Sequence, residues 1–335
     1  MSRTVLVTGS AGFFGGLLAT RLRDAGDEVI GFDLQDGQDL RDREAVDAVF
    51  AAHSFDAVFH CAAMLAHAVK DKGFLWESNV DGTRHLAEAA RARGVPRFVF
   101  TSSNCVYARS YDHPVTEEEP TGPIEIYGRS KLAAEELLRD FEGDMHVVSL
   151  RTPTIIDEGR LGLLTILFDF IREGRKVWVV GKGDNRYQFV YAHDLADACE
   201  RAARHDGSGL FNVGSRDVPT LREVYQSVID RAGTDARVAN LPEKLTRWGM
   251  GAAYRLGLSP LGPYQNRMIT SSFVFDTNRI EQAMGWRPTL NNAEILGRAY
   301  DYYDAHYDEI HARRNVSAHR QAAKMGVIRL LKWLS

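Results

Sequence analysis

Thr4-Val5-Leu6-Val7-Thr8-Gly9-Ser10-Ala11-Gly12-Phe13-Phe14-Gly15 is the stretch on which the fold turns. A short apolar run, Thr4 to Thr8, passes straight into a turn with glycine at 9, 12 and 15, and a helical pattern then runs from Gly15 to Asp24. In a chain of 29 glycines such spacing arises by chance, so its weight comes from lying between a strand and a helix. There, glycine lets the backbone turn tightly, and the free amides at the helix N-terminus meet a pyrophosphate. Gly9, Ala11, Gly12, Phe13, Phe14 and Gly15 are therefore candidate contacts to a dinucleotide.

Further apolar runs follow at Glu28 to Asp33, Ala57 to Cys61, Arg97 to Ser102 and Met145 to Arg151, alternating with helical patterns at Asn79 to Arg93 and Ser130 to Phe141. Continuous apolar strands alternating with amphipathic helices predict an α/β fold, a doubly wound parallel sheet of Rossmann type with its ligand crevice at the strands' carboxyl ends. After about residue 155 the rhythm loosens, with Gly and Pro breaks such as Leu256 to Pro263, which predicts a smaller C-terminal substrate-binding subdomain. The expected division is 1–154 and 186–214 for the dinucleotide domain, 155–185 and 215–312 for the substrate subdomain, and 313–335 for a tail.

Asp33 closes the second strand 18 residues beyond Gly15, where a carboxylate accepts hydrogen bonds from ribose hydroxyls and repels a 2'-phosphate. NAD is preferred over NADP on that ground, although Arg41 and Arg43 follow closely enough to keep the second open. Asp39 and Leu40 are placed to cover the adenine. So few residues separate Asp33 from Asp39 that the usual second crossover and third strand are expected to be shortened or missing.

Tyr127-Gly128-Arg129-Ser130-Lys131 puts a phenol and an ammonium on one face of a helix, one turn apart. A tyrosine of ordinary pKa, about 10, is a poor base at neutral pH, and a neighbouring cation favours the phenolate. The spacing alone equally suits a surface helix with a snorkelling lysine. It gains meaning from following a strand that ends Thr101-Ser102-Ser103, whose last hydroxyl is placed to hydrogen-bond an oxygen undergoing oxidation. Ser103, Tyr127 and Lys131 are the candidate catalytic residues, with the proton on the side chains and the hydride on a nicotinamide.

Bulk properties narrow the class. With 335 residues, 44% hydrophobic and 26% charged, the chain suits a large α/β protein, and a net charge of −4 provides no basic field for nucleic acid. Cys61, Cys105 and Cys199 fit neither a disulfide framework nor a zinc site, and no metal is expected. A cytoplasmic protein is expected, since no signal peptide or membrane span is seen. From Arg313 to Ser335 there are six Lys or Arg and no Asp or Glu, with apolar residues gathered near the end. Such a tail suits an anionic membrane surface or the protein's own dimer partner.

Taken together these residues resemble the extended short-chain dehydrogenase/reductase superfamily, the NAD-dependent epimerase/dehydratase family. The resemblance runs from the first strand to about residue 300. It includes Thr8 to Gly15, His60-Cys61-Ala62-Ala63, Asn79-Val80-Asp81-Gly82-Thr83, Ser102 to Tyr107, Tyr127 with Lys131, Phe189 to Ala196, Phe211 to Ser215 and Gly285-Trp286-Arg287-Pro288. It implies that Cys61, Ala62 and Ala63 line the nicotinamide side, that Asn79 ties the central strands together, and that Thr101 and Ser102 border the cofactor. It implies further that Lys131 holds the nicotinamide ribose and that Thr152, Pro153, Thr154 and Ile155 offer backbone groups to the carboxamide. A homodimer through the helices at Asn79 to Arg93 and Ser130 to Phe141 is also implied.

Departures from the family pattern narrow the chemistry. Where similar sugar-nucleotide dehydratases carry an acidic pair after the catalytic hydroxyl, this chain has Asn104 and Cys105, so β-elimination lacks its proton carriers. Cys105 matches an acid/base cysteine of epimerase-reductases that make fucose nucleotides, yet reads equally as a small buried hydrophobe. The Tyr-Gly-Pro turn and Arg-Pro-Gly run tied to a nucleotide diphosphate are replaced by Ile155-Ile156-Asp157 and Asn266-Arg267-Met268. Arg160, Arg186 and Arg267 remain as candidate phosphate forks, with Met64 on the substrate side.

The first reading is a nucleotide-sugar epimerase or related reductase. Gly181-Lys182-Gly183-Asp184-Asn185, followed by Phe189-Val190-Tyr191, is also similar to sterol dehydrogenases, and Leu241 to Leu258, with Trp248, Met250 and Tyr254, is a candidate apolar pocket. The alternative is therefore a 3β-hydroxysteroid-like dehydrogenase of a lipidic alcohol. A non-catalytic NAD sensor is the third, disfavoured by the intact Ser103, Tyr127 and Lys131.

Overall fold

The computed structural model describes residues 2–65, 71–107, 110–160, 164–255, 268 and 270–312, the side chains of 253–255 excepted. Its centre is a six-stranded sheet. In chain order the strands are β1 (Thr4–Thr8), β2 (Glu28–Phe32), β3 (Ala57–His60), β4 (Arg97–Ser103), β5 (His146–Thr152) and, after an excursion, β9 (Gly209–Asn212). They lie in the spatial order β2-β1-β3-β4-β5-β9, all pairs parallel. Val5, Leu6 and Val7 are fully buried, as strands covered on both faces must be.

The helices alternate with these strands: α1 (Phe13–Asp24), α2 (Arg43–Ala52), a short α3 (Lys72–Trp76) that continues through a π turn (Glu77–Asp81) into α4 (Gly82–Ala92), and α5 (Ile126–Arg139). β2 goes to one side of β1 and β3 to the other, so the order reverses beside β1 and a crevice opens at its carboxyl end. β2 is an edge strand. From it the chain passes through Asp33–Asp42 into α2 and crosses directly to β3, so the expected third strand beyond β2 is missing while its helix is kept. Asp42 starts that helix by accepting the Glu44 and Ala45 amides.

Beyond β5 the chain leaves the sheet. β6 (Thr154–Ile156) pairs with β8 (Phe189–Tyr191), and β7 (Lys176–Val180) with β10 (Arg237–Leu241). Between and after them come α6 (Leu164–Arg172), α7 (Ala192–Ala202), α8 (Leu221–Ala232), α9 (Glu243–Arg255), α10 (Asn278–Met284), α11 (Asn292–Ala305) and α12 (Tyr307–Ala312). α7 returns to the sheet and packs on α1, whereas α6, α8 and α11 enclose a core of their own around Phe168, Val228, Leu296 and Tyr303. No described helix is long and apolar enough to cross a membrane.

Candidate active site

One cavity of about 550 Å³ lies over the carboxyl ends of β1 to β5. Its floor is the glycine turn. Gly9 has φ +71°, and a Cβ there would stand 2.9 Å from the backbone of Ala62, while one on Gly15 would stand 2.1 Å from the Gly9 carbonyl oxygen. Only bare backbone fits. α8 and α11 begin with capping boxes, Thr220 with Glu223 and Asn291 with Glu294, but α1 begins at Gly12 with no side-chain cap and no acidic residue in its first turn. Its leading amides are left for an anion.

At the β2 edge, Asp33 faces this turn: one carboxylate oxygen accepts the Ala11 amide at 3.0 Å and the other the Gln35 amide at 2.8 Å. Ala11 thus serves the acid and is not among the residues lining the cavity, unlike Gly9, Gly12, Phe13, Phe14 and Gly15. Asp39 and Leu40 line it too, but Arg41 grips the Asp39 carboxylate at 2.6 Å and holds its pKa below the usual range, so this acid is not free for an adenine amine. Arg43 is likewise engaged, by Asp47 and Glu88. Neither arginine stands as a loose cation for a 2'-phosphate.

In the middle, Cys61, Ala62, Ala63 and Met64 line the wall beyond β3. Asn79 does not tie the strands together. Its amide instead clasps the Met64 backbone at both ends, 2.7 and 3.0 Å, and donates to Ser130 Oγ at 3.0 Å, fastening this wall to α5. Ser78 Oγ, which no sequence pattern marked, is buried against the cavity without a hydrogen-bond partner among the described residues.

Ser103, Tyr127 and Lys131 meet beyond it. Gly128 brings α5 against the turn after β4, since a Cβ there would lie 2.1 Å from the Cys105 carbonyl oxygen. That approach brings the Tyr127 side chain into the same cavity wall as Ser103, whose oxygen accepts the Cys105 amide at 3.2 Å. Lys131 Nζ donates to the Thr101 carbonyl at 2.8 Å and sits 4.5 Å over the Phe100 ring. Behind this face Arg151 and Glu135, both fully buried, form an ion pair that also takes up the Tyr107 and Ser102 hydroxyls.

The electrostatics differ from the expectation drawn from spacing. Burial, then the Cys105 thiol, pushes the Tyr127 phenol above the ordinary tyrosine range, opposed by the Ser103 hydrogen bond and by a cation; that cation is Arg160, not Lys131. Lys131 itself is brought down to about 8 by burial. Its charge is turned toward Thr101 and Phe100, so in the protein alone the phenol keeps its proton.

The remaining candidates separate. Thr152, Pro153, Thr154 and Ile155 line the cavity with Thr101 and Ser102, as do Asn104 and Cys105. No histidine is among the described lining residues to partner Cys105. Arg160 and Tyr187 complete the wall; Tyr187 escaped sequence reasoning because it lies just outside the stretch from Phe189 that reads as a motif. Arg186 is not at the cavity: its guanidinium donates to the Val218 carbonyl. Arg267, Tyr254 and the 313–335 tail lie outside the described residues, Tyr254 by its side chain. Trp248 is 73% exposed and lines no part of the cavity, against the apolar pocket expected there.

A strand, glycine turn and uncapped helix beside a Ser-Tyr-Lys cluster define a dinucleotide-dependent dehydrogenase-type site. Residues 5–214 match the sequence model of the NAD dependent epimerase/dehydratase family, and the chain belongs to that family. It is 34% identical to the uncharacterized protein y4nG of Sinorhizobium fredii, covering 99% of this chain and 86% of that one. It is 29% identical to UDP-glucose 4-epimerase of Mycolicibacterium smegmatis, covering 89% and 97%. Among solved structures, it matches UDP-glucose 4-epimerase of Thermotoga maritima with UDP-glucose at a TM-score of 0.76 and 22% identity, over 91% of this chain and 99% of that one. The Thermus thermophilus UDP-glucose 4-epimerase in complex with NAD matches at 0.71 and 26%, over 90% and 99%. The chain is an NAD-dependent enzyme of this family, and the bare glycine cradle, Asp33 and the orphaned Ser78 hydroxyl fit that cofactor.

Proposed function

We propose that the protein is a nucleotide-sugar epimerase in which Tyr127 exchanges the proton of a ring hydroxyl. The observation that carries the reading is that Ser103, Tyr127 and Lys131 line one cavity with the glycine turn. When bound, NAD supplies reversible two-electron oxidation of the carbinol carbon.

Ser103, fixed by the Cys105 amide, orients the substrate oxygen toward the phenol. Tyr127 must first become phenolate, and the protein alone resists this by burial. The pull has to come from positive charge gathered at the site on binding, with Lys131 one helical turn away and Arg160 across the cavity. Asn104 and Cys105 supply no acid pair, which disfavours elimination of water and leaves inversion at the oxidised carbon. The UDP-glucose 4-epimerase relatives support the same class of substrate.

The test is turnover of UDP-glucose by the NAD-loaded protein, followed by NMR. Appearance of the C4 epimer with no net change in NADH absorbance is the expected result. Steady NADH release with an oxidised product would make the enzyme a net dehydrogenase and refute the epimerase reading.

A further inference from the structure

The charged residues of the cavity are divided by sign. Its acids, Asp33 and Asp39, are both at the β2 edge, and its cations, Lys131 and Arg160, are both toward the catalytic cluster. Lys131 is occupied by the Thr101 carbonyl. Arg160 is not: among the described residues its guanidinium has no carboxylate partner and no hydrogen bond, and it stands 5.5 Å from the centre of the Phe13 ring. The backbone turns tightly just before it, with Gly159 at φ +80° and the Arg160 amide on the Asp157 carbonyl at 3.0 Å.

Neutral hydrogen-bonding groups line the cavity with it. Tyr187 OH receives the Asn104 amide at 3.4 Å and lies 3.2 Å from Thr154 Oγ. The guanidinium lines the same cavity as Tyr127 and Tyr187 and acts electrostatically on both hydroxyls. Burial without a counter-charge lowers its pKa to about 10, a cost that an anion would reverse. A diphosphate does not supply that anion well, because it hangs from the anomeric carbon, across the ring from a hydroxyl at C4. A carboxylate at C6 is two bonds from C4 and suits a planar fork.

We infer that Arg160 receives a carboxylate borne by the substrate close to the oxidised carbon, so that the enzyme prefers a nucleotide hexuronate to a neutral nucleotide hexose. The inference rests on the nucleotide-sugar reading above and narrows it.

The probes are UDP-glucuronate and UDP-glucose, titrated calorimetrically into the NAD-loaded full chain, wild type, Arg160→Gln and Arg160→Lys. A charge-assisted pair of this kind is expected to give the uronate an advantage of about 10- to 100-fold. Arg160→Gln should bring the uronate down to the level of the hexose, and Arg160→Lys should restore part of the gap. Equal affinity of the wild type for the two sugars, no binding of the uronate, or a gap that survives Arg160→Gln overturns the inference. If Arg160→Gln instead weakens NAD, the anion is the cofactor's own pyrophosphate and the inference is equally overturned. Inversion at C4 is scored separately by NMR: hexose inverted without preference sinks only the carboxylate, while uronate bound selectively but never inverted sinks only the epimerase.

Discussion

The two ends of the cavity are built on different principles. The cofactor end is made of consecutive backbone, Gly9 to Gly15, with one carboxylate locked to it through the Ala11 amide. The end proposed for the substrate is made of single side chains, Asn104, Thr154, Arg160 and Tyr187, delivered by three separate segments. Backbone cradles recognise what every dinucleotide shares, whereas scattered side chains record which substrate is taken.

The sharpest way to separate the ends is to remove the proposed proton carrier between them. Tyr127→Phe keeps the ring and its packing but removes the hydroxyl from the cavity that Ser103 also lines. Turnover should fall by about 10³-fold or more, with the NAD dissociation constant moved less than about threefold. Retained turnover would show that another group handles the proton.

Gly15→Ala attacks the cofactor end alone. Its Cβ would stand 2.1 Å from the Gly9 carbonyl oxygen, so the turn has to open. An overpacking cost of about 1–3 kcal/mol falls on the conformation that holds pyrophosphate, and NAD binding should weaken by about 10- to 100-fold in fluorescence titration. Unchanged affinity would mean that the turn does not hold the cofactor. A smaller effect is expected for Asp33→Ala, which frees the Ala11 amide and removes the repulsion of a 2'-phosphate. The ratio of NAD to NADP affinity should drop by about 10-fold, and an unaltered ratio would take Asp33 away from the ribose.

This division explains what the sequence shows and what it conceals. The glycine turn, Asp33, and Tyr127 with Lys131 are legible because each acts through local spacing, on one loop or one helical turn. The Lys131 ammonium was expected to acidify Tyr127 from that spacing, yet the side chain bends to Thr101, a partner from another element that spacing cannot reveal. Arg160 and Tyr187 fall together only because β6 and β8 pair. Asn79 reads as a helix residue, and its clasp on Met64 depends on the chain's return beside α5. The absent strand beyond β2 was legible, since so short a segment after Asp33 leaves no room for it.

His60 links the glycine turn to the Asn79 clasp, and it offers the smallest and most local test. The Ala62 amide donates to Thr8 Oγ, which leaves the Thr8 hydroxyl hydrogen for His60 Nδ1 at 2.7 Å; Thr83 Oγ donates to the Asn79 carbonyl and so accepts from His60 Nε2 at 2.8 Å. The network therefore specifies a neutral imidazole with its proton on Nε2, stacked 5.4 Å from the Phe100 ring. Burial, with Lys131 adding to it, depresses the His60 pKa to about 3. The unfolded chain takes up this proton near the ordinary value of about 6.5, so the unfolded state gains as pH falls below that point. Stability contributed by His60 is complete above pH ~6.5 and is lost at up to ~1.4 kcal/mol per pH unit as pH falls toward the folded value. Replacing the ring with a side chain that does not titrate, His60→Gln, should flatten the stability curve between about pH 6.5 and 5 by about 1–2 kcal/mol relative to wild type, measured by urea unfolding. An NMR titration checks the cause directly, and an imidazole that titrates near 6.5 in the folded protein would show that β3 does not bury it as a fixed link between the glycine turn and the Asn79 clasp.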